Sequence, residues 1–166
     1  MRLSIVASPI AALVLSACAA PSTAPTYSQV PAAEPREGMA VLYVYREYAE
    51  PTAWSPTISI DGKEFVSLPQ QGFSWVYVSP GKRTFLSKWS FLSGSPPVEF
   101  SAEFVAGTRY FFEITGTSRL TGTSSGGAGL NMHFTTIAQI NSPKEREAVR
   151  QLEKCCRFIS PNASAL

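Results

Sequence analysis

The sequence is short of the residues that most enzymes use for acid–base and metal chemistry. Its 166 residues include one histidine, His133, and one aspartate, Asp61. The three cysteines are Cys18 and the neighbours Cys155 and Cys156, which lack the Cys-x-x-Cys spacing of common zinc sites. A Ser-His-Asp triad would require His133, in a predicted strand, to meet Asp61, in a predicted turn. We therefore expect no catalytic residues, no metal site and no cofactor, and a protein that is not an enzyme.

Charge is also scarce in this chain. Charged residues make up 16% of the sequence, and the formal net charge is +2. Removal of residues 1–17 would take away Arg2 as the only charged residue and leave the mature chain close to neutral. Binding to nucleic acid generally requires a clearly basic surface. We therefore expect no nucleic-acid partner.

The N-terminal apolar stretch is too short and too interrupted to cross a bilayer. It runs from Ile5 to Leu15, is broken by Ser8 and Pro9, and follows the single positive charge of Arg2. A positively charged start followed by a short apolar stretch is typical of an export signal. Residues 1–17 are therefore interpreted as a signal peptide.

The signal peptide ends in Leu15-Ser16-Ala17-Cys18, which resembles the lipobox of bacterial lipoproteins. The resemblance implies cleavage before Cys18, diacylglycerol on its sulfur and an acyl chain on the new amino terminus. Two or more chains anchor a protein stably in a membrane. The alternative is an ordinary secretory leader with an incidental cysteine. Ala19 stands where an aspartate would resemble an inner-membrane retention signal, so we expect the outer membrane, with the protein facing the periplasm.

The rest of the chain divides into three parts by composition. Residues 18–38 contain four prolines among small and polar residues, which predicts a semi-extended tether with too little apolar surface to fold. Residues 39–159 have the length and the apolar content of one β domain. Residues 160–166 are predicted to form a disordered tail.

Runs of β-branched and aromatic residues, separated by turn signals, predict a mainly β fold. Asp61-Gly62 and Pro80-Gly81 have the residue types of tight turns between strands. The first run is almost continuously apolar, which predicts a strand covered on both faces. The fold is expected to be a small antiparallel β-sandwich or a partly open barrel. The predicted strands cover 39–46, 57–60, 63–68, 72–78, 83–89, 98–105, 109–115 and 130–137.

One segment near the C-terminus has helical spacing instead. Apolar side chains recur at Ala148, Val149, Leu152 and Cys156, with charged residues between them. Ser142-Pro143 before this segment has the residue types of a helix start. The pattern predicts one amphipathic helix over residues 143–155, packed against the sheet.

Strand and turn motifs follow one another along the domain: Val44-Tyr45-Arg46, Ser59-Ile60-Asp61-Gly62-Lys63, Gly72-Phe73, Val78-Ser79-Pro80-Gly81-Lys82 and Val105-Ala106-Gly107-Thr108-Arg109-Tyr110-Phe111. Their order resembles a family of short bacterial lipoproteins that carry a domain of unknown function, number 2846, with PEGA-like turn chemistry. The resemblance covers roughly residues 39–116 and implies a compact β domain in the cell envelope, without any established activity. The serine- and glycine-rich stretch 115–129 departs from the family pattern.

Three positions are candidates for contact with a ligand or partner. Trp54 lies in a proline-bounded loop and is expected to be the most exposed of the three tryptophans. Ser124 and Ser125 lie in the stretch 115–129, which is interpreted as a long flexible loop.

Adjacent helical residues point about 100° apart, so a bond between Cys155 and Cys156 is not expected. Cys156 is expected to pack against the sheet, which leaves Cys155 as a candidate for an intermolecular disulfide.

These observations favour a non-enzymatic envelope lipoprotein that serves as an interaction or structural module. Its expected partners are the membrane, through the lipid on Cys18, and either another envelope protein or a second copy of the chain. The alternative is a periplasmic domain that binds a small ligand or glycan through Trp54 and residues 117–129.

Overall fold

A computed structural model describes residues 19–126 and 129–162, with side chains for all of these except 125–126 and 129–134. Residues 1–17, interpreted as the signal peptide, and Cys18 lie outside the described residues, as does most of the predicted tail. The strands are β1 Ala40–Arg46, β2 Thr57–Ile60, β3 Lys63–Ser67, β4 Gly72–Val78, β5 Gly81–Lys88, β6 Val98–Phe104, β7 Arg109–Gly126, β8 Gly129–Asn141 and β9 Arg157–Phe158, and the helix α1 is Glu145–Cys155.

The strands form two open sheets, which confirms a β-sandwich with one helix. The first sheet has the order β8-β7-β1-β4-β9 and the second has the order β3-β2-β5-β6. The prediction of a purely antiparallel arrangement is wrong in the first sheet, where β1 pairs with β7, and β4 with β9, in parallel. Parallel neighbours need a long crossover connection, and between β1 and β7 the chain passes through β4 and the four strands of the second sheet.

Side-chain alternation along β1 divides the apolar residues between two cores. Leu42 and Val44 face the second sheet and are fully buried in the main core. Val41, Tyr43 and Tyr45 point the other way and are also fully or almost fully buried. Both faces of β1 are therefore covered, as its continuous apolar sequence predicted.

Helix α1 covers part of the outer face of the first sheet. It buries Ala148 and Leu152 completely, and its amphipathic pattern was predicted correctly from the sequence. The helix begins two residues later than predicted, after Lys144, and Ser142 is not its N-cap residue. Lys144 has extended backbone angles, and its carbonyl accepts the N–H groups of Glu147 and Ala148. The first helical bonds thus form beyond Pro143, and no side chain caps the helix.

Residues 19–38 pack on the same outer face, which corrects the expectation of a free tether. The ring of Tyr27 makes edge contacts with the rings of Tyr43 and Phe73, at centroid distances of 6.1 and 5.5 Å. The backbone N–H of Ala33 donates to the hydroxyl of Tyr43 at 2.8 Å, and Ala33 is buried. The few apolar residues of this segment are sufficient because the domain provides an aromatic surface that receives them.

Residues 115–126 of the serine- and glycine-rich stretch are not a flexible loop but belong to β7, which pairs with β8 in a long hairpin. β7 and β8 pair in antiparallel register from Glu113 and Asn141 to Gly126 and Gly129. The hydroxyls of Ser118 and Thr136 lie 2.8 Å apart across the two strands. Threonine favours strands, and cross-strand pairing satisfies the backbone groups that a loop would leave to water. The serine and glycine content of this stretch suggested a loop, but the hydrogen bonds between β7 and β8 make it part of the first sheet.

Gly116 of β7 is the point where this hairpin meets the loop after β1. The N–H of Glu50 donates to the carbonyl oxygen of Gly116 at 3.1 Å. A Cβ atom at position 116 would overlap the carbonyl oxygen of Glu50, which is a backbone atom. Close packing of this kind requires glycine for its lack of a side chain.

We predict that Gly116→Ala lowers the free energy of unfolding by about 1–3 kcal/mol, because the new methyl group must displace the backbone of residue 50. The matched control is Gly122→Ala on the same strand, where a Cβ atom would meet nothing within 4 Å. That variant should stay within about 0.5 kcal/mol of the parent protein. Urea unfolding of the parent protein and both variants measures the difference, provided that the free energy of unfolding falls with urea concentration at the same slope in all three. Equal stabilities would contradict the close approach of Gly116 to Glu50.

Candidate functional site

A buried arginine closes one end of the sandwich. Arg46, the last residue of β1, has no solvent exposure. Its Nη1 atom donates to the carbonyl oxygens of Trp54 at 2.9 Å and Leu68 at 3.2 Å. Its Nη2 atom donates to those of Ala49 at 2.7 Å and Pro51 at 2.9 Å. Charged donors form strong hydrogen bonds in such surroundings, so these contacts fix the path of the chain after β1.

Two further side chains complete this end. The ring of Trp89, which is buried, lies under the guanidinium of Arg46, with its centroid 4.7 Å from Cζ. The amide side chain of Gln70 exchanges hydrogen bonds with the backbone of Ala49. We call this region the Arg46 end, defined as Arg46 with residues 47–56, 68–71 and 88–95. It joins the loops of both sheets to the end of the buried strand β1.

Trp54, the candidate for a free binding surface, is partly buried and packs against the main core. Its carbonyl oxygen accepts from Arg46, so its backbone is held as well. Trp75 is also partly buried, with its ring 5.4 Å from that of Tyr77. Neither ring stands free in solvent. The position of Trp54 between prolines had suggested an exposed side chain, and that expectation is wrong. Local proline content predicted a loop correctly but gave no information about what the loop packs against.

The two serines proposed beside Trp54 lie far along the hairpin. Ser124 is exposed on β7 and its backbone is paired with Asn131. It stands eight residues beyond Gly116, which is roughly 26 Å at the usual rise of a strand. Ser125 is paired with Leu130, and its side chain lies outside the described part. The structure therefore does not bring Trp54 and these serines together in one pocket.

Cys155 and Cys156 are joined by a disulfide, which corrects the expectation that they do not bond to each other. The expectation assumed that both residues lie in the helix. Helix α1 ends at Cys155, and Cys156 has extended angles, with φ −119° and ψ 148°. The change of backbone conformation between them removes the helical restriction on their sulfur atoms. Cys155 in this state has no thiol for a second chain, whereas Cys156 is buried on the outer face as predicted.

Of the polar residues considered for catalysis, Asp61 makes hydrogen bonds that stabilise a turn between strands. Asp61 lies in the β2–β3 turn with φ 49°, and its carboxylate accepts from the N–H of Thr84 at 2.9 Å and from Arg83 at 3.2 Å. The Thr84 N–H, followed by Arg83, lowers the pKa of Asp61 below its usual value. The side chain of His133 lies outside the described part of the chain. No group of three His, Cys, Asp or Glu side chains that could hold a metal occurs among the described residues.

Tyrosines on the outer face are a feature that sequence reasoning did not single out. The hydroxyl of Tyr43 accepts from Ala33, and that of Tyr45 donates to the side chain of Gln151 in α1. Burial raises the pKa of Tyr43 to about 12, because a phenolate would lose its hydration there. Burial raises the pKa of Tyr45 in the same way. Both hydroxyls remain neutral and connect the sheet to the layer that covers it.

Large apolar side chains that remain exposed are a second feature missed in the sequence. The 3₁₀ helix Phe91–Ser93 presents Phe91 and Leu92 to solvent, with 96% and 77% of their surface exposed. Beside them lies an open cleft of about 390 Å³ between Trp89, Phe91 and the Pro96-Pro97 pair. The signal in the sequence was an apolar pair inside a Ser- and Gly-rich connection between two strands.

The chain matches no established protein-family profile, and no curated protein sequence is significantly similar to it. Within residues 19–126 and 129–162, no helix is both long enough and apolar enough to cross a membrane.

We predict that Cys155 and Cys156 form an intramolecular pair in the folded protein. The unfolded full chain should take up no maleimide on either cysteine without a reductant, and should take it up on both after reduction. In Cys155→Ser, the remaining thiol of Cys156 is buried and should react only after unfolding. A dimer on non-reducing gels that is sensitive to reductant and is lost in Cys155→Ser would contradict this prediction.

Proposed function

We propose that this protein is a lipid-anchored protein of the bacterial cell envelope, attached through Cys18 and facing the periplasm from the outer membrane. The observation that carries the proposal is the sequence Leu15-Ser16-Ala17-Cys18 at the end of a short apolar leader. The described chain is compatible with this attachment, because Ala19, the residue after Cys18, forms a bridge with Gln70 of the domain. The proposal includes membership of the lipoprotein family with the domain of unknown function numbered 2846.

The role that we propose for the anchored domain is that of an interaction or structural module without enzymatic activity. The β8 strand supports an interaction role, because it is 13 residues long and is the last strand of its sheet. Such an edge presents backbone groups on which an extended segment of another protein can pair. The partner would be another envelope protein or a second copy of this chain.

The glycan- or ligand-binding alternative is not favoured by a specific observation. It depended on an exposed Trp54 and on a flexible segment at residues 117–129. Trp54 packs on the main core, and residues 117–126 belong to β7. The interaction module is therefore the function that we propose.

The proposal predicts that Cys18→Ser abolishes lipidation and membrane attachment. The full chain is expressed in a bacterial host with an alkyne analogue of palmitate, and the envelope is fractionated on a density gradient. The parent protein should carry the label and sediment with the outer membrane, whereas Cys18→Ser should remain unlabelled and keep its leader. Cys155→Ser is the matched control and should remain labelled. Equal labelling of Cys18→Ser, or a parent protein free of membranes, would refute the anchor.

A further inference from the structure

The exposed pair Phe91 and Leu92 is held in a defined turn. The backbone N–H of Leu92 donates to the side chain of Ser90 at 3.4 Å, and Gly94 ends the turn with φ 67°, a conformation that suits glycine. The turn is therefore built to keep two large apolar side chains in solvent. A single exposed apolar residue is common on protein surfaces, so the position of this pair on the fold decides its meaning.

The turn lies at the Arg46 end of the sandwich. Lys88, the last residue of β5, pairs with Thr57, the first residue of β2. Trp89 follows and lies under the guanidinium of Arg46. Only Ser90 separates this buried tryptophan from Phe91. The apolar turn is thus anchored directly to the buried arginine.

Residues 19 and 20 lie at the same end. Ala19 forms a bridge with Gln70, and the N–H of Ala20 donates to the carbonyl oxygen of Gln70 at 2.8 Å. Gln70 is bonded to Ala49, whose carbonyl oxygen also accepts from Arg46. Cys18 precedes Ala19 by one residue, and consecutive Cα atoms are about 3.8 Å apart. No spacer therefore separates the proposed lipid attachment point from this end of the domain.

Most of the other large apolar side chains that are exposed to solvent also lie towards the Arg46 end. Six large hydrophobic side chains are exposed in the described part of the chain. Tyr48 follows Arg46 in the loop, while Leu120 and Ile137 belong to the hairpin. β7 runs parallel to β1 as far as Tyr45 and Glu113 and then continues past the Arg46 end, carrying the hairpin with it.

Five of the six therefore lie at or beyond the Arg46 end. The sixth, Val105, lies at the opposite end, where the N–H of Gly107 donates to Met39 just before β1. This uneven distribution, together with the position of residue 18 in the sequence, indicates which partner covers the exposed apolar side chains.

We propose that the Phe91–Leu92 turn enters the interfacial region of the same phospholipid bilayer that holds the acyl chains of Cys18. This inference rests on the proposed lipid anchor. Apolar side chains at the boundary between headgroups and acyl chains add to the binding by the lipid.

The test places an environment-sensitive fluorophore at residue 92 of the full, lipidated chain in vesicles of phosphatidylethanolamine and phosphatidylglycerol. Leu92→Cys supplies the attachment point, because Cys18 carries lipid and Cys155 and Cys156 are bonded to each other. The matched control is Val105→Cys at the opposite end, where the parent side chain is 57% exposed. Both positions are exposed, so neither substitution is expected to disturb the core.

We expect the probe at residue 92 to shift its emission to the blue and to be quenched several-fold more than the probe at residue 105 by lipids with a shallow spin label. Vesicles that retain the protein while both probes report water would overturn the membrane contact and leave the anchor intact. A blue shift at residue 92 without quenching by the spin-labelled lipids would indicate contact with a second copy instead, and would also overturn it. Failure of the protein to float with the vesicles would refute the anchor, and this inference with it.

Discussion

The hydrogen bonds of the Arg46 guanidinium are the interaction on which the rest of this structure depends. Removing a charge from water is costly unless hydrogen bonds replace its hydration, and four backbone carbonyls do so at this position. Three of these carbonyls belong to residues 49–54, a segment without regular secondary structure. That segment is therefore bound to the end of the buried strand β1 and cannot move independently of the core.

Three features of the molecule are positioned by this one buried group. Trp89 packs on the guanidinium and sets the place of the apolar turn that follows it. Ala49 connects the guanidinium to Gln70, which forms a bridge with Ala19. Glu50 holds the long hairpin at Gly116. Residues 19 and 20, the apolar turn and the hairpin consequently meet at one end of the domain.

Much of the fold could be predicted from the sequence because its signals are local. The alternation of apolar residues and the turn residues Asp61-Gly62 specify strands and their connections without reference to distant parts of the chain. The remaining features depend on contacts between residues far apart in sequence. Ala33 is ordered by the hydroxyl of Tyr43, and the need for glycine at position 116 is evident only beside residue 50. The helix end at residue 155 was predicted correctly, but the extended backbone of Cys156, which allows the bond between the adjacent cysteines, has no signal in the local pattern.

Native-state hydrogen exchange of the full chain tests most directly whether the Arg46 end is a fixed part of the domain. The amide of Ala49 donates to the side chain of Gln70 at 3.0 Å, and that of Glu50 donates to Gly116 at 3.1 Å. Both should exchange with the same free energy of opening as amides inside β1, because the loop can open only when the core unfolds. Rapid exchange of these two amides beside protected β1 amides would show that the loop opens by itself, and would contradict the central role of the Arg46 hydrogen bonds.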